Sequence, residues 1–405
     1  MNKKKILIGS LIILGLIILT IVIYNYYRIL TAKIIVLTKP NNPVEVYSEV
    51  HISDLIISIN GKLIDDKLVN TNKVGTHEET FSFINDDNIK VSYTFKVKVV
   101  DTTDPIIGGP STITVNKGYD KDLSQKFFCG DNYDNTPKCR VEGDYNTNEI
   151  GSYDLIFKAT DKSKNEVSQK FTLNVIEESS NKSYNNPNIE VVTKDYNEVI
   201  KNYKTKNTKI GIDVSKWQGD IDFKKLKESK VEFAMVRVGS EDSEGKFFVD
   251  SKFEQNMKGF NEVNIPVGVY YYSYADSKEK AKKEAKWVIK QIKKYDIDLP
   301  VVFDWEDWSS YREYNMSFHT LTEVAEAFLE EIEKAGYKGM LYSSKYYLEN
   351  IWYPTKYSLW LAHYTDQTNY EGNYYLWQIC SNGKVDGIDD NLVDIDILYK
   401  KRTNG

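Results

Sequence analysis

Three different rhythms of apolar and polar positions run along the chain. The first is unbroken: from Ile6 to Tyr24 (ILIGSLIILGLIILTIVIY) no residue is charged, and the run is long enough to cross a hydrocarbon core as one helix. The second covers residues 34–177, where apolar and polar positions alternate between turn residues, as in Val44–Val50, Val91–Val100 and Gln169–Val175. Alternation of period two predicts half-buried strands, and short strands at this spacing predict β-sandwich modules. The third begins at residue 208. Apolar strand-like runs such as IGIDVS (210–215), FAMVRV (233–238), VGVYYYSYA (267–275), LPVVFDWE (299–306) and GMLYSS (339–344) are interleaved with helical patterns such as Ser277–Lys294 and Leu321–Ala335. This order predicts a parallel sheet with helical crossovers. Three more runs, SLWLAHY (358–364), LWQIC (376–380) and VDIDIL (393–398), bring the strand candidates to eight, which predicts a compact α/β barrel smaller than the usual one.

The second region also repeats itself. Thr71-Asn72-Lys73-Val74-Gly75-Thr76 matches Thr147-Asn148-Glu149-Ile150-Gly151-Ser152, and Phe95 and Phe171 follow the two glycines at the same interval. Two copies of one module of roughly 75 residues are implied, and they resemble the bacterial immunoglobulin-like domains of surface proteins. The expected organisation is a tip and transmembrane anchor (1–30), two immunoglobulin-like modules (34–101 and 102–177), a polar linker (178–207) with a short helix near Asn197–Tyr203, and the barrel (208–402).

Lys3, Lys4 and Lys5 precede the apolar run. Lysines there favour a cytoplasmic amino terminus, so the modules and the barrel are expected outside, facing the cell wall. The run is longer than the core of a typical signal peptide and no small-x-small cleavage site follows, which favours a retained anchor. The formal net charge of -6 gives no support to nucleic-acid binding. An oxidising exterior permits a Cys129–Cys139 bridge, two free thiols being the alternative, while Cys380 stands alone. The cysteines lack C-x-x-C spacing and the four histidines form no H-E-x-x-H, so neither a metal nor another cofactor is expected. Asp131–Asn135 and Asp161–Asn165 read as polar turns, calcium loops being the alternative.

Barrel enzymes carry their chemistry at the carboxyl ends of the strands, and here those ends are acidic: Asp213 on the first run, Asp304 and Glu306 on the fourth, Asp394 and Asp396 on the last. In Asp304-Trp305-Glu306 the two acids stand two residues apart. On a strand they face one side, about 6 to 7 Å apart along the chain. Their mutual repulsion and apolar neighbours raise at least one pKa, which leaves one acid able to donate a proton and one able to stabilise positive charge on a sugar. Glycosidic cleavage needs that division.

These residues carry a resemblance. Gly211-Ile212-Asp213-Val214-Ser215-Lys216-Trp217-Gln218-Gly219, Val267-Gly268-Val269-Tyr270-Tyr271-Tyr272, Pro300-Val301-Val302-Phe303-Asp304-Trp305-Glu306, Leu359-Trp360-Leu361-Ala362-His363-Tyr364, Leu376-Trp377-Gln378 and Val393-Asp394-Ile395-Asp396 are similar, in order, to motifs of glycoside hydrolase family 25, the N-acetylmuramidase lysozymes. The resemblance implies an incomplete or flattened α/β barrel, with peptidoglycan glycan strands as substrate. It implies Glu306 as proton donor. Asp304 would stabilise the transition state or orient the substrate's acetamido group, and Asp213 and Asp394 would lie at the pocket floor, with Asp394 and Asp396 able to exchange roles. The chain departs from the family's frequent His-Phe at Tyr271-Tyr272. Tyr270, Tyr272, Trp360, Tyr364 and Trp377 are candidates for sugar contact, Gln378 for an acetamido group, and Arg237 for a ligand or an acid. The alternative is a glycan-binding or adhesion protein that keeps the barrel without catalysis.

Overall fold

The computed structural model of the chain describes residues 3–39, 43–177, 192–389 and 391–400. Part of the expected linker (178–191) and Asp390 lie outside them. The chain forms two compact units, Met1–Thr103 and Asp104–Gly405.

In the first unit the uncharged run lies within a helix, Lys3–Leu30. Its stretch Gly9–Leu30 is long and apolar enough to cross a membrane, a property that anchors and signal sequences share. The rest of the unit is built on a hairpin of Gly75–Asn85 and Lys90–Val100, with Val44–Glu45 and Gly61–Leu63 on its two sides. Strand alternation sends Phe81, Phe83, Phe95, Val97 and Val99 to one buried face. Val36–Thr38 and Ile56–Ile59 form a separate ladder.

The second unit opens with the same plan. A hairpin of Gly151–Thr160 and Glu166–Ile176 is flanked by Lys138–Glu142 and Thr112–Asn116, and Ile106–Gly108 pairs with Phe128–Gly130. The repeat is structural down to register. Gly75 faces Val99 and Glu79 faces Phe95, while Gly151 faces Val175 and Leu155 faces Phe171. Cys129 and Cys139 form a disulfide in this second copy.

The remainder is an eight-stranded barrel: β1 Thr208–Val214, β2 Ala234–Glu241, β3 Val267–Tyr272, β4 Val301–Asp304, β5 Gly339–Ser344, β6 Ser358–Ala362, β7 Leu376–Lys384 and β8 Val393–Tyr399. Strands β1 to β7 run parallel to their neighbours, and β8 lies antiparallel between β7 and β1. The sheet therefore closes, and the expectation of an incomplete barrel is met only in the helical layer. Helices α1 Phe223–Glu228, α2 Phe253–Glu262, α3 Lys278–Ile292, α4 Phe318–Lys334 and α5 Lys345–Asn350 follow β1 to β5. Among the described residues no helix lies between β6 and β7 or between β7 and β8.

Each barrel strand serves two cores. Met235, Val302, Met340, Trp360 and Leu376 pack inside the barrel, while Val236, Val301, Phe303, Leu341 and Leu361 pack under the helices. Successive side chains point to opposite faces, so both are filled by near-continuous apolar runs. The end of the expected linker belongs to this domain: helix Tyr196–Tyr203 lies against it, with Tyr196 buried and its hydroxyl donating to Ile210 O at 2.9 Å.

The second module joins the barrel in one compact unit. Its contacts fall on the 3-10 turn Trp308–Tyr314 that follows β4, and on the start of α4. Phe318 N–H donates to Asp131 O at 2.8 Å, Ser317 N–H to Asn135 Oδ1 at 2.9 Å, and Arg312 to Ser124 O at 2.9 Å. The Phe128 ring stands 5.3 Å from that of Tyr311 and 6.2 Å from that of Phe318. A Cβ on Gly130 would fall 2.5 Å from the Phe318 ring and 2.7 Å from the Tyr311 ring, so only glycine allows this approach.

Candidate active site

At the carboxyl ends of the strands lies a pocket of about 280 Å3, lined by Asp213, Asp304, Glu306 and Asp394. The alternation that buries Val302 inside the barrel directs Asp304 the same way. It sends Phe303 and Trp305 outward, where Trp305 is wholly buried among Trp308, Tyr311 and Tyr314. Glu306 lies just past the strand end, at the exposed mouth of the pocket. Asp304 is held by its backbone too, since its carbonyl accepts the Ser273 N–H at 2.7 Å. Across the barrel Asp213 of β1 is paired in register with Asp394 of β8.

The acids are unequal because their surroundings differ. Asp304 is buried, which pushes its pKa well above the carboxylate range; the Glu306 charge adds to this and Arg237 opposes it. Dense surroundings, and then the Asp394 charge, raise Glu306 to about 7. Asp394 is raised to about 6 by burial. Asp213 is pushed up by burial, then by Asp394 and Asp396, against a stabilising hydrogen bond from Gln378 Nε2 at 2.8 Å. Desolvation penalises charge and adjacent carboxylates repel, so these acids hold their protons to higher pH than exposed carboxyl groups do. Asp394 and Asp396 separate by depth: Asp394 lines the pocket, whereas Asp396 is fully buried and accepts the Trp360 Nε1–H at 2.8 Å.

Tyr270, Tyr272, Trp360, Tyr364, Gln378 and Arg237 also line this pocket. Gln378 is fixed from both ends. Its Oε1 accepts from Tyr342 at 3.0 Å and Tyr364 at 2.9 Å while its amide holds Asp213. Arg237 faces the pocket and donates from Nε to Asp250 at 2.7 Å, the acid partner expected of it. Trp360 is buried, edge-on to Tyr270 and Tyr342. Of the expected sugar-contact candidates, Trp377 is absent from this lining. It neighbours Gln378 on β7, so it faces outward, packs against Tyr203 and donates to His363 O at 2.9 Å.

Sequence reasoning passed over Trp217, Tyr342, Ser215 and Gln218, which complete the lining. Trp217 is 66% exposed at the mouth, with the Lys216 ammonium 4.7 Å above its ring. Its place in the Gly211–Gly219 motif was the available signal. Tyr342 shares the inward parity of Asp304, its register partner on β5.

A family model described as glycosyl hydrolases family 25 matches residues 212–388. These residues are a family 25 glycoside hydrolase domain. Relatives match a similar share of the chain. The uncharacterized protein YegX of Escherichia coli K12 is 28% identical over 198 residues, covering 46% of this chain and 68% of its own length. The autolytic lysozyme of Clostridium acetobutylicum is 25% identical over 181 residues, covering 44% of this chain and 52% of its own. Among solved structures, a family 25 glycosyl hydrolase from Bacillus anthracis aligns at 22% identity with a TM-score of 0.42, covering 49% of this chain and 92% of the other. The family 25 domain is the enzymatic part of the chain, and the pocket acids Asp213, Asp304 and Glu306 fall within the matched residues.

Proposed function

We propose that the chain is an outward-facing, membrane-anchored muramidase that cuts the β-1,4 bond between N-acetylmuramic acid and N-acetylglucosamine for cell-wall remodelling. The observation that carries this reading is the pairing of a solvent-facing Glu306, with a pKa of about 7, and a buried Asp304 in one pocket. Glu306 is the proton donor to the leaving oxygen. Asp304, whose pKa burial raises and Arg237 partly restrains, stabilises the developing positive charge or orients the substrate's acetamido group. Asp213 and Asp394 form the floor that keeps these two acids unequal.

Two features support an external location. The helix Lys3–Leu30 has the length and composition of an anchor. The Cys129–Cys139 bond belongs to oxidising compartments. The module of residues 34–101 is read as an immunoglobulin-like spacer.

The test is release of muramic-acid reducing ends from purified peptidoglycan by the full chain in detergent. Glu306→Gln is expected to lower the rate by roughly 10²- to 10⁴-fold, the usual worth of a positioned general acid, with an unchanged melting curve. Wild-type rates in that variant would remove Glu306 from its role.

A further inference from the structure

The second β-module does more than carry the barrel. Where it meets the barrel there is a cleft of about 340 Å3, comparable in size to the catalytic pocket. Gln125, Lys126 and Phe128 of the module form one wall, and Trp308, Tyr346 and Tyr347 of the barrel form the other. The barrel wall belongs to the turn that leaves the catalytic strand. Trp308 N–H donates to the Glu306 carbonyl at 2.7 Å, and the Trp308 indole stacks on Tyr347 with ring centres 3.7 Å apart and planes 14° from parallel. Tyr347 is close enough to the acid that, after burial and Tyr346, the Glu306 charge helps raise its hydroxyl pKa.

We infer that this cleft is a distal saccharide subsite, filled by a sugar residue of the same glycan strand beyond the bond being cut. The inference rests on the muramidase reading. A strand that enters a pocket the size of one or two sugar rings must continue out of it, and the turn that follows Glu306 carries Trp308 into the wall of this cleft. The lining suits an amphipathic ring. Tyr346 is 49% exposed and offers an aromatic face, while Gln125 and Lys126 are exposed and offer hydrogen-bond donors. The module wall is also held in place, since Arg312 grips Ser124 beside Gln125 and the disulfide ties down the strand carrying Phe128. Such fixed walls lower the ordering cost of binding.

Full-chain enzyme in detergent, given peptide-free glycan strands of defined length, tests this. The ratio of kcat/KM for long over short strands is expected to exceed one, and Tyr346→Ala or Gln125→Ala to reduce that ratio roughly five- to tenfold. Calorimetric affinity of the Glu306→Gln protein for the same strands should show the same dependence on length and on Tyr346, whether or not the wild type cleaves them. Absence of all cleavage would defeat the muramidase reading. A length preference unmoved by both variants, or affinity independent of length, would overturn the subsite.

Discussion

At the scale of single residues, the working property is unequal proton affinity within one carboxyl cluster. In its proposed role as donor Glu306 acts only while protonated, and its surroundings raise its pKa to about 7. Activity is therefore expected to hold below that value and to decline as pH rises through it, the limb belonging to the coupled Asp304–Glu306 pair. A kcat/KM profile flat to pH 9 would contradict this. Glu284 provides a second titration away from the pocket. It is wholly buried and accepts from Ser273 at 2.6 Å, and burial raises it to about 8. Its folded pKa lies above its unfolded value, so the folded state binds the extra proton, and stability falls as pH rises from about 4.5 towards 8. Melting temperatures of Glu284→Gln should fall less over that window than those of the wild type. Parallel slopes would deny Glu284 the effect. Glu306 lies past the strand end and its acid chemistry was the signal, whereas Asp304 was legible from sequence because strand parity turns it inward with Val302. The Asp394 and Asp396 roles were not, because both share a face and only depth in the barrel separates them.

At the scale of elements, β4 and the turn after it connect chemistry to architecture. The 3-10 turn Trp308–Tyr314 begins two residues after Glu306 and is gripped by the second module through Arg312, Phe128 and Gly130. Gly130→Ala would force a methyl group into the Phe318 and Tyr311 rings. A loss of about 1 to 3 kcal/mol is expected, as for other overpacked sites, read from denaturant unfolding of the purified chain. An unaltered midpoint would mean that the rings yield freely. This docking was invisible in the sequence, where Phe128 and Gly130 look like ordinary strand residues. Nothing in a linear pattern states which surface a small module will cover. The repeat was legible, because matched glycines and phenylalanines fix the same hairpin register twice. The outward turn of Trp377 follows from the parity of β7, once Gln378 is seen to face the pocket.

At the scale of the whole molecule, the sequence divides by rhythm into helix, modules and barrel, and the structure redraws one division. The second module belongs with the barrel, and the compact units part between Thr103 and Asp104. If the apolar helix is a retained anchor, removal of residues 1–30 should move the protein from the membrane pellet to the supernatant after ultracentrifugation, with wall-degrading activity preserved. A truncated protein still in the pellet would assign attachment elsewhere. The closure of the barrel has a temporal consequence. Asp213 on β1 meets Asp394 on β8, so the floor of the pocket joins residues from opposite ends of the domain. Contacts that distant in sequence form late. The carboxyl floor is not assembled until β8, which ends at Tyr399, is available to close the barrel. On the proposed outward orientation, a chain that has emerged only as far as β7 lacks the Asp394 wall of its pocket and cannot yet cut the polymer around it.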